Sequence, residues 1–242
     1  MTFSTGILLT LLLGFAPPLL WLWFWLREDV HPEPKSEIAL VFSMGMAVVL
    51  MALIAEKLFA NLNISQQSIY GYSGNILVII NIIAFAFFEE IAKTIASFFT
   101  AIRSRYFDEP IDAMIYAITA SLGFAALENA FFISKHAFIT TNQAVAVSSV
   151  RFIGAILIHA STGAIIGASF AFSFCKRSRR AVEFAIALVA ATALHAIYNY
   201  YVMGGANNGK EDQIAGVIIA GIGAVFALIL FERAKRLRAL CE

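Results

Sequence analysis

Apolar residues dominate seven stretches of the chain, at about residues 7–26, 38–58, 76–102, 111–133, 147–174, 181–202 and 214–231. About 20 such residues in a helix rise far enough to cross the hydrocarbon core of a bilayer. Open strands leave unpaired backbone groups in lipid, so each stretch is expected to be an α-helix. The pattern predicts an all-α, polytopic transmembrane bundle of about seven spans, with residues 1–242 forming one integral membrane domain. Between the first two spans, Arg27 to Lys35 is polar and punctuated by Pro32 and Pro34, which reads as a short surface loop holding a solvated His31. Asn61 to Asn75 is polar and contains glycine, and is expected to be the next connection. The first stretch lacks a basic leader and a small-residue cleavage site and is followed by Arg27, so it is expected to be a retained helix, kinked at Pro17-Pro18.

Composition narrows the class further. With 60% hydrophobic and 14% charged residues, the chain has too little polar surface for a soluble protein of its size, which makes it a multi-pass protein of the cell membrane. A net charge of +1 excludes a global basic face for nucleic acid. The placement of the basic residues is more informative. Twelve flank one side of the predicted bundle: Arg27, Lys35, Arg103, Arg105, Lys176, Arg177, Arg179, Arg180, Arg233, Lys235, Arg236 and Arg238. Three flank the other: Lys57, Lys135 and Lys210. The positive-inside rule then puts the N-terminus outside and the C-terminus in the cytoplasm. Cys175 and Cys241 lie beside cytoplasmic basic segments, so no disulfide is expected.

Against this apolar background, Glu89, Glu90 and Lys93 fall within five residues of one helix. A charge at the bilayer centre costs about 3 to 10 kcal/mol, so this cluster needs an internal, watery environment and marks a functional site. Lys93 is one turn beyond both carboxylates and can pair with one while the other projects into the bundle. Glu128, His159 and His195 each sit in the outer half of a different span. Any one of them could be a packing hydrogen bond; four helices aiming acids and imidazoles at compatible depth point to chemistry. His159, Gly163 and Gly167 share a face of one helix, and small residues there let a neighbour approach. Arg151, near the outer end of that helix, is expected to snorkel.

Glu89-Glu90-x-x-Lys93, Phe124-x-x-x-Glu128, a histidine helix and His195-x-x-x-Asn199, with Glu33-Pro34 in the first loop, together resemble the PrsW family of intramembrane proteases. That family is distantly similar to the CAAX-processing and bacteriocin-processing proteases. The resemblance runs from Arg27 to about Tyr201. It implies an intramembrane peptidase acting on membrane-anchored proteins, anti-sigma factors among them. Asn199 stands where the family motif is often written with Asp, yet Asn can also orient a histidine one turn away.

Amide hydrolysis needs an activated water, a group to polarise the carbonyl and a proton for the leaving amine. No serine, cysteine or paired-aspartate nucleophile lies at this depth; Ser161 and Thr162 read as packing hydroxyls. A glutamate and two histidines form a known catalytic zinc set. The assignment is therefore Glu128, His159 and His195 as ligands of a divalent metal, zinc for preference. Glu89 or Glu90 is the general base, with Glu90 taken first, Lys93 tunes the pair and Asn199 supports His195. A metal-free version, in which a desolvated glutamate activates water directly, uses the same residues. An ion-coupled transporter or a non-catalytic membrane sensor would place similar groups in mid-membrane, although the internal repeat of many transporters is not apparent. Substrate identity and oligomeric state are not encoded in any motif.

Overall fold

The computed structural model describes residues 3–29, 31–70, 74–101, 104–137, 154–174, 177–202 and 210–237. Arg103, Arg151, Cys175, Lys176, Arg238 and Cys241, discussed above, lie outside them. The described chain is helical with no strand: α1 Phe3–Arg27, α2 Lys35–Ala47, α3 Val49–Tyr70, α4 Gly74–Ala101, α5 Pro110–Ala137, α6 Ala155–Phe172, α7 Arg180–Val202 and α8 Lys210–Lys235. A short 3-10 turn, Arg177–Arg179, precedes α7.

Among the described residues, six spans are long and apolar enough to cross a membrane: α1, α2 and α3 together through Leu62, α5, α6, α7 and α8. The seventh long helix is α4, which carries Glu89, Glu90 and Lys93 along its 28 residues. Two boundaries differ from the sequence expectation. The stretch from Asn61 does not open into a loop; α3 continues to Tyr70, because its polar residues are compatible with helix once an apolar stem has nucleated it. The second span is divided at Val48, whose N–H still bonds the Met44 carbonyl, so α2 and α3 follow one another with almost no gap. In the fifth span, α6 begins at Ala155, and residues 147–153 lie outside the described part. Helix α1 runs through Pro17 and Pro18.

The bundle is organised around α5 and α6, which are buried almost from end to end, while the other spans turn rows of leucine, isoleucine and valine outward. Ile54, Leu58, Val182, Ile186, Val189 and Ile222 belong to that outer coat, the surface lipid tails would cover. Close approach to α5 rests on glycine. A Cβ at Gly45 would run into the Ala120 carbonyl, one at Gly123 into the Phe42 carbonyl, and those at Gly163 and Gly167 into the α5 backbone at Ala117 and Met114. Small residues on both sides let α2 and α6 pack backbone to backbone against α5. At one end, Asp112 accepts from the N–H groups of Asp108 (3.0 Å) and Glu109 (2.6 Å), satisfying the start of α5. The Tyr116 hydroxyl donates to Glu33, tying the first loop to the same helix. His31 is exposed, as expected of a loop histidine, and lies 3.3 Å from Glu109.

Candidate active site

A cavity of about 390 Å³ opens between α3, α4, α5, α6 and α7. Its wall is mostly apolar, with Val49, Leu53, Phe85 and Phe124 among the contributors. Set into that wall are Glu56, Glu89, Glu128, His159, His195 and Asn199. Five helices must pack correctly before any of these groups meet, which is why the glycine contacts of α5 bear on the chemistry.

Glu89 and Glu90 are neighbours in sequence and therefore point about 100° apart on α4. Glu90 is fully buried, and its Oε1 receives Lys93 Nζ at 2.6 Å and His195 Nδ1 at 2.7 Å. Glu89 faces the cavity; its Oε2 is buried, has no hydrogen-bond partner and lies 3.7 Å from His195 Nε2. The adjacent carboxylates thus divide into one locked in the packing and one open to the cavity, and the open one is Glu89.

Lys93 fixes the rest of the network. Its ammonium carries three protons and no acceptor. The three are directed at Glu90, at Thr162 Oγ1 (3.2 Å) and at His159 Nδ1 (3.3 Å). Thr162 sends its own proton to the His159 carbonyl at 3.1 Å, so its oxygen is available to accept. His159 Nδ1 must then accept as well, which puts the ring proton on Nε2, 2.8 Å from Glu128 Oε2. His195 has the opposite arrangement: Nδ1–H donates to Glu90, leaving a lone pair on Nε2. The two rings sit 5.0 Å apart at 82°, and Phe124 packs 5.5 Å from His159. The cavity therefore meets His195 as an acceptor, while the His159 proton is engaged by Glu128.

The structure brings all seven sequence-predicted residues to this region in different capacities. Glu89, Glu128, His159, His195 and Asn199 line the cavity, while Glu90 and Lys93 stand behind it. Asn199, one turn beyond His195, is buried in the wall, and the bond that orients His195 comes from Glu90. Sequence reasoning missed two participants. Thr162, a packing hydroxyl by its sequence context, is a Lys93 partner. Glu56 was not singled out, although a lone carboxylate at the heptad spacing of Val49, Ala52 and Leu53 in an apolar run was a usable signal.

Ligand atoms of Glu89, His159 and His195 all lie within 4.8 Å of one another, so the converging metal-type set contains Glu89 where the sequence reading placed Glu128. In number, spacing and burial this trio suits a catalytic metal with an open position facing the cavity. Protonation adds a condition: a metal on His159 Nε2 needs that proton moved to Nδ1, where the Lys93 ammonium sits.

Fold and site together define an integral membrane protein with a buried acid–imidazole centre opening between its helices. Consistent with that class, the sequence model of the PrsW family intramembrane metalloprotease matches residues 33–231, and the chain belongs to this family. Among curated relatives, Protease PrsW of Clostridioides difficile (strain 630) is 26% identical over 197 residues, covering 79% of this chain and 78% of the relative. Protease PrsW of Bacillus subtilis (strain 168) is 24% identical over 189 residues, 77% of this chain and 79% of the relative. No solved structure matches the chain. Membership of an intramembrane protease family carries with it a membrane-protein substrate and a lipid environment.

Proposed function

We propose that the protein hydrolyses a peptide bond within or beside the membrane segment of a membrane-anchored protein, of the anti-sigma-factor kind, using a water activated by Glu89. The observation that carries this reading is a cavity-facing carboxylate, Glu89, whose Oε2 lies 3.7 Å from His195 Nε2 in a wall that also holds His159 and Asn199. A water between Glu89 and His195 Nε2 gives one proton to the carboxylate while its second hydrogen bonds the imidazole lone pair. The oxygen attacks the carbonyl carbon, and charge on the carbonyl oxygen is met by the Asn199 amide in the cavity wall, the His159 proton being engaged by Glu128. Collapse of the tetrahedral species breaks the C–N bond, and Glu89 returns its proton to the leaving amine. Glu90 and Lys93 act behind these groups, fixing which nitrogen of each ring carries hydrogen. Exclusion of bulk water strengthens each of these electrostatic contacts.

A second reading is favoured by the family description and by the spacing of Glu89, His159 and His195. In it these residues hold a divalent ion, zinc for preference. When bound, such an ion lowers the pKa of its water to about 7. Glu128 is then the acid–base group beside His159.

Loop charges support an N-terminus outside and a C-terminus in the cytoplasm, with residues 1–242 acting as one unit. The reading is tested by reconstituting purified protein in liposomes with tagged single-span proteins and locating any cut by mass spectrometry. A cut in or next to the span is expected. Intact substrates across a panel that includes anti-sigma-factor-type anchors would overturn it.

A further inference from the structure

Helix α3 turns Val49, Ala52, Leu53 and Glu56 toward the cavity, the i, i+3, i+4, i+7 spacing of one helical face. Three of these are apolar, and Glu56 is half-buried among them with no hydrogen bond or ion pair among the described residues. It shares the cavity wall with Glu89 and Glu128, whereas the described lining residues include no lysine or arginine. Lys93, the cation nearest the catalytic groups, has its three protons directed elsewhere. The carboxyl oxygen Glu89 Oε2 is likewise buried beside this space without a hydrogen-bond partner. Three carboxyl groups facing one low-dielectric space repel one another, and a cation entering it gains from all three at once. Aliphatic walls with an acid at one end suit the stem and head of a basic side chain.

We infer that Glu56 is a specificity-determining residue: with the apolar face of α3 it forms a subsite for a lysine or arginine side chain of the substrate, close to the bond that is cut. The inference rests on the peptidase reading for its biological meaning, but the subsite itself requires only the cavity. Glu56 contributes the ion pair, Val49, Ala52 and Leu53 pack the methylenes, and Glu89 is left for water. An acidic residue at the same substrate position is rejected by the same three carboxyl groups.

The test uses the purified full-length chain in detergent and three fluorescent apolar peptides of membrane-span composition, identical except for one central lysine, norleucine or glutamate. Wild type is expected to bind the lysine peptide at least about tenfold more tightly than the norleucine peptide and to bind the glutamate peptide most weakly. Glu56→Gln should bring the lysine-to-norleucine ratio close to one, and Glu56→Lys should reverse the order in favour of glutamate. Equal affinities in wild type, including failure to bind any peptide, or an unchanged ratio in both variants, would overturn the inference. Cleavage of the same peptides is followed in parallel. Discrimination without cleavage counts against the peptidase reading alone, and cleavage without discrimination counts against the Glu56 subsite alone.

Discussion

Nδ1 of His195 lies 2.7 Å from Oε1 of Glu90, and this bond determines what the other nitrogen of the ring offers to the cavity. An imidazole that donates from Nδ1 presents a lone pair at Nε2. Glu90 is therefore a positioning residue, although it adjoins the carboxylate that faces the reacting space. Its carboxylate is in turn held by Lys93, so α4 carries both the open acid and the device that sets the imidazoles.

Removing Lys93 leaves Glu90 buried without its 2.6 Å partner. Lys93→Met is expected to lower stability by about 3 to 5 kcal/mol, and activity with it, because His159 loses the contact that fixes its tautomer. Thermal unfolding in detergent measures the first effect. In the double variant with Glu90→Gln, the two losses should combine to less than their sum, since both remove the same ion pair. Full additivity would show that the pair is not coupled.

Glycine contacts give a contrast within one residue type. Gly45→Ala places a methyl group against the Ala120 carbonyl and should cost about 1 to 3 kcal/mol through overpacking of α2 on α5. Gly221→Ala meets nothing within 4 Å and should be neutral or stabilising by up to about 1 kcal/mol through helix propensity. Thermal unfolding of the two variants side by side measures the difference.

Two groups in the first loop give the pH dependence. Burial pushes the carboxyl groups of Asp29 and Glu33 above their ordinary values; the His31 N–H opposes this at Asp29, and hydrogen bonding from Tyr116 opposes it at Glu33. A raised folded-state value means that the folded protein holds the proton more tightly than the unfolded chain. This contribution is fully present below the unfolded carboxylate range, near 4, and is lost as pH rises through the raised values. Melting temperature should accordingly fall on going from acid toward neutral pH, and Glu33→Gln, which keeps an acceptor for Tyr116, should flatten the fall. A slope unchanged by Glu33→Gln and Asp29→Asn would assign the effect to other groups.

Much of this molecule was legible from periodicity, because lipid leaves a chain few options: a long apolar run must be a helix, and the described helices run through the apolar stretches. The polar end of α3 was not legible, since its residues suit a helix or a loop equally and only continuation from an apolar stem decides. At the site, charge in an apolar helix marked Glu89, Glu90 and Lys93 from sequence. Which carboxylate faces the cavity depends on how α4 is rotated against α6 and α7, a tertiary property that two adjacent residues cannot reveal. The same holds for Glu89 replacing Glu128 in the trio that converges with His159 and His195, because Glu128 approaches from α5 on the proton-bearing side of His159.

Metal content separates the two versions of water activation. On the metal-free version, the protein purified without added metal holds well under one zinc per chain and keeps its cleavage rate after chelation. Stoichiometric zinc by elemental analysis, with activity lost on chelation and restored by the ion, would instead establish the metal-bound version.

The central claim is the division of labour between Glu89 and Glu90, and the direct measurement is the cleavage rate of a reconstituted membrane-anchored substrate by each single Gln variant, read beside its melting temperature. Glu89→Gln should slow cleavage by about 100- to 10,000-fold with the melting temperature unchanged, as befits loss of a proton acceptor. Glu90→Gln should lower both rate and melting temperature, because it loosens Lys93 and His195 together. Glu89→Gln cleaving at the parental rate while folded, or Glu90→Gln losing activity with its stability intact, would contradict the account.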